Sequence, residues 1–280
     1  MASAPLEFIA NDIKAWIDFI RSTDIPVLKH TARALAHLHE DEDEEKLSAR
    51  AISAAIVNDP MMVFRVLSYL QKHKGKQQLQ DIHQAEQAIL MMGTTSFYLN
   101  LSPRVLVEDT LKNNLTAMAH LLRLIRRTLR AAHFAAEWAT HLTDMHAEEV
   151  RTAALLRDLA EMLMWCFAPD KMNAICAMQH ADKSIRSITA QQEVLGFKLH
   201  DLQIELVEAF QLPPLLSRLM QDSASGEQRV RNVTLAVNLA RHSANGWDDA
   251  ALPDDYRDIS ELLRMDVDRV KRLVGVPVIT

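Results

Sequence analysis

The sequence contains few of the residues that form turns and β-sheets. Its 280 residues include only 6 glycines and 9 prolines, and aromatic residues make up 5% of the chain. Because glycine and proline mark turns while aromatic side chains favour strands, this scarcity argues against an all-β fold. Alanine, leucine, methionine, glutamate, arginine and glutamine are abundant, and all of them are strong helix formers. The composition therefore predicts an all-α protein.

The chain also lacks the marks of nucleic-acid-binding, disulfide-linked and membrane proteins. Its net charge is −6, so no overall positive field attracts a polyanion. The spacing of its two cysteines, Cys166 and Cys176, fits neither a zinc site nor a secreted disulfide scaffold, and we expect two reduced core thiols. No apolar run approaches the roughly 20 residues of a membrane span, and the N-terminus does not resemble a signal peptide. We expect a soluble, cytoplasmic protein.

Several motifs of nucleotide-binding proteins and hydrolases are missing as well. There is no Walker-type phosphate loop, no Gly-x-Gly-x-x-Gly and no Gly-x-Ser-x-Gly elbow. The 12 histidines are scattered, and none forms the pair four residues apart, with a carboxylate between, that a helical zinc site needs. The sequence therefore excludes these motif-based sites.

Apolar residues recur at helical spacing along nearly the whole chain. The longest pattern covers residues 111–139 and predicts a long central helix. Residues 147–164 predict a second central helix, and Asn58-Asp59-Pro60 predicts that one helix ends where another begins. Further helices are expected over residues 6–20, 28–38, 81–93, 193–210 and 230–242, with an exposed loop over 72–80.

The helical pattern predicts one compact domain, which can have two lobes, because no linker or low-complexity tract interrupts it. We expect an N-terminal helix over residues 1–24 and a main domain over residues 25–241. Short C-terminal helices over residues 242–280 are expected to pack on that domain.

Three segments, taken in order, carry a resemblance to a known family. The first comprises Ile56-Val57-Asn58-Asp59-Pro60 and Ala88-Ile89-Leu90-Met91-Met92-Gly93, the second is Ala153-Ala154-Leu155-Leu156-Arg157-Asp158-Leu159-Ala160, and the third comprises Glu193-Val194-Leu195-Gly196, His200 and Phe210-Gln211-Leu212-Pro213. Together they resemble the HDOD family, a branch of the HD superfamily found in bacterial signal transduction. The resemblance covers about residues 25–241 and implies an HD-like, compact multi-helix bundle.

A working HD site holds one or two metal ions with histidines and aspartates, and activates water for phosphoester hydrolysis. The resemblance places these residues at the ligand positions: Arg127 (or His133) and Arg157 where histidines are expected, Asp158, Asn238 in place of the distal aspartate, and Gln221-Asp222 near the paired histidines. An arginine guanidinium cannot lose its proton and therefore cannot ligate a cation. We expect no metal, no cofactor and no catalytic residue.

Two interpretations of the remaining charged residues stay open. Arg127 and Arg157 can form a buried salt bridge with Asp158, since a buried carboxylate needs a partner. Alternatively, the two guanidinium groups can grip a phosphate or carboxylate ligand. Glu193 and His200 lie seven residues apart, which predicts a shared helix face, where His200 is either a structural anchor or part of a ligand site.

Three functions follow from these features. The first is a non-catalytic bacterial signalling module that acts through protein–protein contacts, with a phosphate-bearing small ligand as a further partner. The second is a metal-dependent phosphohydrolase of the HD type. The third is a nucleic-acid regulator that uses Arg123, Arg126, Arg127 and Arg130, which the negative net charge disfavours.

Overall fold

The computed structural model describes residues 11–40, 48–73, 82, 84–221 and 226–277. These residues are almost wholly helical, with one isolated parallel bridge between Val27 and Leu106 and no longer strand among them. The helices are α1 Ile13–Ser22, α2 Lys29–Glu40, α3 Ala49–Ile56, α4 Pro60–Lys72, α5 Ala85–Met92, α6 Thr94–Leu101, α7 Val107–Thr110, α8 Leu115–His141, α9 Ala147–Leu156, α10 Leu159–Phe167, α11 Pro169–Ala181, α12 Ser187–Leu195, α13 Leu199–Ala209, α14 Pro214–Leu219, α15 Gln228–His242, α16 Leu252–Leu263 and α17 Val267–Leu273. The all-α prediction is confirmed. None of the described helices is both long and apolar enough to span a bilayer.

The chain divides into two compact units. The first unit comprises residues Met1–Ile125 and Asp158–Leu212, and the second comprises Arg126–Arg157 and Pro213–Thr280. Helix α8 therefore contributes its first part to one unit and its remainder to the other. The predicted domain boundaries, at residues 24–25 and 241–242, differ from the boundaries of these two units. The predicted division stays a prediction.

The core of the first unit is built on α4 and α10. Helix α4 buries Met61, Phe64 and Leu67 completely, and α10 is buried on nearly every side. The thiol of Cys166 lies 4.0 Å from the sulfur of Met61, and burial raises its pKa well above the ordinary range. Cys166 is thus an inert core thiol, as expected. Cys176 is free but only half-buried, so the expectation of two core thiols is correct for one of them.

Asp59 joins two segments of the first unit. Its completely buried carboxylate accepts the backbone N–H of Met62 at 3.0 Å, which caps α4, and that of Leu28 at 2.8 Å, at the start of α2. Burial raises the pKa of this carboxyl even though both N–H groups favour the anion. The predicted junction is confirmed: α3 ends at Ile56, and α4 begins at Pro60.

The long helix predicted over residues 111–139 is confirmed as α8, although it begins later, at Leu115. The Asn114 carboxamide oxygen accepts the backbone N–H of Ala117 at 3.1 Å and so caps the start. The helix predicted over 147–164 is interrupted, since α9 ends at Leu156 and α10 starts at Leu159. Apolar periodicity continues across this break, so it could not be seen in the pattern.

The segment predicted as helical over residues 193–210 is also divided. Helix α12 ends at Leu195, and Gly196 follows with a φ of 84°, in the left-handed region that favours glycine. A side chain at this position would meet Asn11, since an added Cβ would lie 2.5 Å from the Asn11 Cβ. Glycine is therefore required here by both conformation and space.

Some of the remaining helix predictions are confirmed, and others fall partly on residues that are not described. The helix expected to begin at Asp81 starts at Ala85 and ends before Gly93, whose φ is 80°. Asp81 itself, most of the loop expected over 72–80, and the first residues of the helix expected over 6–20 lie outside the described ranges. Helices α2 and α15 confirm the patterns at residues 28–38 and 230–242.

In the second unit, α15 is tied to neighbouring segments by polar groups. The buried Asn232 side chain donates to the Ala135 carbonyl at 3.0 Å. Arg229 donates to both carboxylate oxygens of Asp144 at 2.8 Å, a bidentate pair that joins the turn after α8 to the start of α15. Partial burial alone would raise the pKa of Asp144, but the hydrogen bonds from Arg229 and from the His146 backbone lower it below its ordinary value.

Replacing Asp59 is expected to destabilise the protein strongly. Asp59→Ala removes the cap of α4 and leaves the Leu28 N–H buried without a partner, so we expect a loss of about 2–4 kcal/mol in the free energy of unfolding, measured by urea denaturation. Ser48→Ala is the matched control, because Ser48 caps α3 from an exposed position. Asp59→Asn keeps one acceptor oxygen, so its loss in the free energy of unfolding should lie between those of Asp59→Ala and Ser48→Ala. Equal losses for Asp59→Ala and Ser48→Ala would contradict this account.

The Asp144–Arg229 pair is expected to stabilise the protein only where Asp144 is ionised. A lowered carboxyl pKa contributes stability above the unfolded-state value of 3.8, and this stability is lost as the pH falls through the folded-state pKa. Arg229→Gln should therefore cost about 1 kcal/mol at neutral pH and progressively less below the unfolded-state pKa, as followed by thermal unfolding. Arg231→Gln is the control, since its pair with Glu261 at 2.7 Å is more exposed. A penalty for Arg229→Gln that is constant with pH would show that the charge of Asp144 is not involved.

Candidate functional site

The two residues at the position of the HD pair lie in the break between α9 and α10. Arg157 follows the last residue of α9 with helical dihedral angles, and Asp158 precedes α10 with a φ of −104° and a ψ of 25°. Both side chains are half-buried, and each takes part in at least one polar or electrostatic interaction. The boundary between the two units falls between these residues.

Arg127 lies on α8, within the second unit. Its side chain is half-buried and also engaged in an interaction, and the neighbouring Thr128 is buried. His133, the alternative to Arg127 on the same helix, is exposed. Because the Arg127 side chain is half-buried and the His133 side chain is exposed, Arg127 is the better match to an inward-facing HD position.

The start of α10 is held by a residue that the sequence analysis did not single out. Asp158 precedes the helix, but its side chain does not cap it. Instead, the Gln203 carboxamide oxygen accepts the backbone N–H of Ala160 at 2.7 Å, inside the core of the first unit. An N–H in the first turn of a helix has no partner within that helix, so Gln203 supplies the missing acceptor. A polar residue within the apolar stripe of α13 is the signal that could have revealed this role.

Glu193 and His200 do not share a helix face, and that prediction is wrong. Glu193 lies near the end of α12, and His200 lies in the first turn of α13, on the other side of Gly196. Both side chains are exposed. The left-handed turn at Gly196 breaks the seven-residue spacing that the prediction used, so neither residue is fixed relative to the other by one helix.

The other positions implied by the resemblance carry carboxamides where the structure describes them. Asn238 on α15 is half-buried, and its carboxamide oxygen accepts a hydrogen bond from Arg241 at 3.0 Å. Gln221 is exposed, and Asp222 lies outside the described residues. A carboxamide oxygen is a poor substitute for a carboxylate in binding a transition metal.

The residues at the HD positions therefore do not fit a metal centre. Arg127 and Arg157 carry a permanent positive charge and offer no lone pair, which leaves Asp158 as the one carboxylate of the set among the described residues. Among the described residues, no three histidine, cysteine, aspartate or glutamate side chains lie close enough together to hold a metal ion. What guanidinium groups can bind is an anion or a carboxylate, and the predicted anion pocket at Arg127, Arg157, Asp158, Glu193 and His200 stays a prediction.

The basic residues of α8 do not form a uniformly exposed surface. Arg123 and Arg126 are exposed. Arg130 is half-buried, donates to the Ser243 carbonyl at 3.2 Å and lies 4.8 Å from the centre of the Trp247 ring. Cation–π contact and the carbonyl hold this guanidinium within the second unit. These contacts give Arg130 a structural role in that unit.

Comparisons with known proteins identify the fold. The sequence model of the HDOD domain matches residues 25–225. The crystal structure of the MmoQ response regulator from Methylococcus capsulatus strain Bath superposes with a TM-score of 0.66 and 18% identity, and covers 90% of this chain and 98% of that chain. A second structure of that protein, a fragment, gives a TM-score of 0.62 and 18% identity over 86% of this chain and 94% of that chain.

A more distant structural match is an HDOD domain protein from Geobacter sulfurreducens. It superposes with a TM-score of 0.48 and 13% identity over 94% of both chains. No curated protein matches the chain. The two MmoQ structures, at 18% identity, indicate a shared fold and carry no information on activity.

Gln203→Leu is expected to destabilise the protein although leucine has nearly the same volume. The substitution leaves the Ala160 N–H buried without an acceptor, so the free energy of unfolding should fall by about 1–3 kcal/mol in chemical denaturation. Gln192→Leu on α12 is the control, because Gln192 is exposed and its replacement should change stability by no more than about 0.5 kcal/mol. If Gln203→Leu were neutral, the hydrogen bond to Ala160 would not be needed to hold the start of α10.

Proposed function

We propose a signalling role for this chain, which belongs to the HDOD domain family. The family match confirms the resemblance based on the three sequence segments. In this proposal the protein is a bacterial regulatory module that passes on a signal through contacts with another protein. It does not hydrolyse phosphoesters.

One feature of the sequence supports this proposal: the resemblance to HD proteins puts arginine, at Arg127 and Arg157, where two histidines are expected. Arg127 and Arg157 are both half-buried and both engaged with the protein, so their guanidinium groups are part of the folded structure. Hydrolysis of the HD type needs a metal-bound water, and a guanidinium repels the cation that would bind that water. In this proposal, arginine in place of histidine removes the capacity for metal-dependent hydrolysis, while the helical fold is kept.

The fold of the MmoQ response regulator supports a role in signalling by analogy. That protein is described as a response regulator, and its fold covers nearly the whole of this chain. Fold alone does not fix function, so the analogy gives the class of activity and not the partner.

The surface of the first unit is compatible with a function that depends on contacts. Leu90 and Met91 on α5 and Leu99 on α6 expose 65%, 54% and 76% of their surface, all within ten residues of sequence. Exposed large apolar side chains are frequent on surfaces that bind other proteins. These residues are the first to replace once a partner is known.

The alternative function is a metal-dependent phosphohydrolase. It requires that ligands other than Arg127 and Arg157 complete a site around Asp158. Metal content and hydrolysis together distinguish the two functions.

Purified, untagged protein is expected to retain no stoichiometric metal. The protein would be incubated with manganese, iron and zinc, desalted, and measured by mass spectrometry, and its activity on bis(p-nitrophenyl) phosphate would be assayed with each metal. We expect metal far below one ion per chain and no hydrolysis above the rate without protein, because the arginines offer no ligand.

Asp158→Asn serves as the control variant for this measurement. If the wild type bound one or more ions and hydrolysed the phosphodiester, and Asp158→Asn lost both properties, the phosphohydrolase function would be correct and the signalling proposal wrong. If metal were retained equally by both proteins without hydrolysis, it would be bound away from the HD position.

A further inference from the structure

A cleft in the first unit carries an inference that does not involve the HD position. It has a volume of about 450 Å³ and lies between the end of α1, the outer face of α4, the end of α6 and the residues that follow α13. This size falls within the range of clefts that bind small organic molecules, about 300–1,000 Å³. The cleft is open to solvent on one side, so a ligand can enter it without a change of fold.

Helix α4 supplies one wall of the cleft. Arg65, Ser68, Tyr69 and Lys72 all line it, and their spacing of three and four residues places them on one helix face. The opposite face of α4 is the buried core around Phe64 and Leu67. The packing that holds α4 in the core therefore fixes the backbone positions from which these four side chains extend.

The charges in the cleft are unbalanced toward positive. Three cationic side chains line it, those of Arg21, Arg65 and Lys72, against one carboxylate, that of Asp24. Asp24 and the buried Asp59 attract the Arg65 guanidinium, and Arg104 repels it more weakly. An anion with two negative charges would balance the net charge of the lining residues.

Arg65 is the central cation of this group. Its side chain is half-buried, and within the described part of the chain its guanidinium makes one hydrogen bond, from Nη1 to the Met62 sulfur at 3.9 Å. A thioether is a weak acceptor, whereas a guanidinium has five N–H donors that match phosphate oxygens. Burial lowers the pKa of Arg65, but an arginine in a protein stays protonated and keeps its charge. The remaining donors have no hydrogen-bond acceptor among the described residues, so a ligand in the cleft that Arg65 lines can accept hydrogen bonds from them.

Arg21 and Phe210 form the opposite wall. The Arg21 guanidinium donates to the Ala209 carbonyl and lies 6.0 Å from the centre of the Phe210 ring. These contacts hold the long Arg21 side chain in place, so less entropy is lost when a ligand binds. Phe210 and Tyr69 provide aromatic surface beside the cations.

We propose that this cleft binds a small organic phosphate, with Arg65 and Lys72 contacting the phosphate groups and the aromatic side chains contacting the organic part. Cations and aromatic rings on facing walls suit a molecule that has a doubly charged end and a flat end. In a signalling module such a molecule would act as an effector. The site is separate from Arg127 and Arg157, so its test does not depend on the absence of hydrolysis.

Isothermal titration calorimetry with ADP and with pyrophosphate tests the proposal, and adenosine is the uncharged control. We expect ADP or pyrophosphate to bind to the 280-residue protein at low ionic strength and more weakly as salt is added, because the attraction is partly screened. Adenosine should bind much more weakly than ADP. Absence of binding by both phosphates at millimolar concentration would overturn the proposal, and so would adenosine binding as tight as that of ADP.

Two variants locate the site. Arg65→Met removes the central charge while keeping most of the side-chain volume, and Lys72→Gln removes an exposed charge at the rim. Each is expected to weaken binding about tenfold, since each removes a charge-assisted contact. Arg33→Gln is the matched control, an exposed arginine of α2 outside the cleft, and should leave binding unchanged.

The variants keep the test decisive even if one of them folds poorly. Lys72 is exposed, so Lys72→Gln is expected to fold normally, as circular dichroism would check. If this variant, or a folded Arg65→Met, bound ADP and pyrophosphate as tightly as Arg33→Gln does, the cleft would not be the binding site. Loss of binding in the cleft variants alone would support it.

Discussion

The completely buried carboxylate of Asp59 fixes the position of α4, and much of the first unit depends on that helix. A buried carboxylate is unfavourable unless its oxygens are satisfied, and here two backbone N–H groups from separate segments satisfy them. One of these groups starts α4, and the other precedes α2, so the same side chain caps a helix and joins it to a neighbour. The inner face of α4 then packs into the core, and its outer face lines the cleft with Arg65 and Lys72. A substitution at Asp59 that shifts α4 would therefore alter the cleft as well as the core.

Chemistry at the HD position is constrained by the difference between imidazole and guanidinium. A neutral histidine offers a lone pair to a metal, whereas arginine offers donors and a permanent charge. At the positions where the resemblance expects histidine, Arg127 and Arg157 are therefore suited to an anion and not to a cation. Both side chains are half-buried, so the two arginines are part of the packed structure.

The sequence predicted most of the helices but fewer of the details of the candidate site. Periodicity located α8, and the Asn58-Asp59-Pro60 junction located α4, because each has a local signal of apolar spacing or capping chemistry. The breaks at Arg157-Asp158 and at Gly196 were missed, since apolar spacing continues through the first and the second depends on a left-handed glycine next to Asn11. The prediction that Glu193 and His200 share a helix face failed because of the break at Gly196. Gln203 and the cleft were also missed, because they depend on contacts between segments distant in sequence.

The cleft also shows why the net charge of a chain limits some partners and not others. A nucleic acid contacts an extended surface, so an overall charge of −6 opposes its approach. A small anion responds instead to charges within about 8 Å at physiological ionic strength, the distance over which screening is incomplete. The side chains that line the cleft are net positive, and low-dielectric aromatic walls strengthen their field. Arg130 illustrates the contrast, because its guanidinium is already held by Trp247 and the Ser243 carbonyl, whereas Arg65 has only a thioether as acceptor among the described residues. In this acidic protein, Arg65 can therefore bind a phosphate, because it has unused donors and lies in a cleft. The arginines of α8 form the densest run of arginines in the sequence, but they are not the proposed phosphate site.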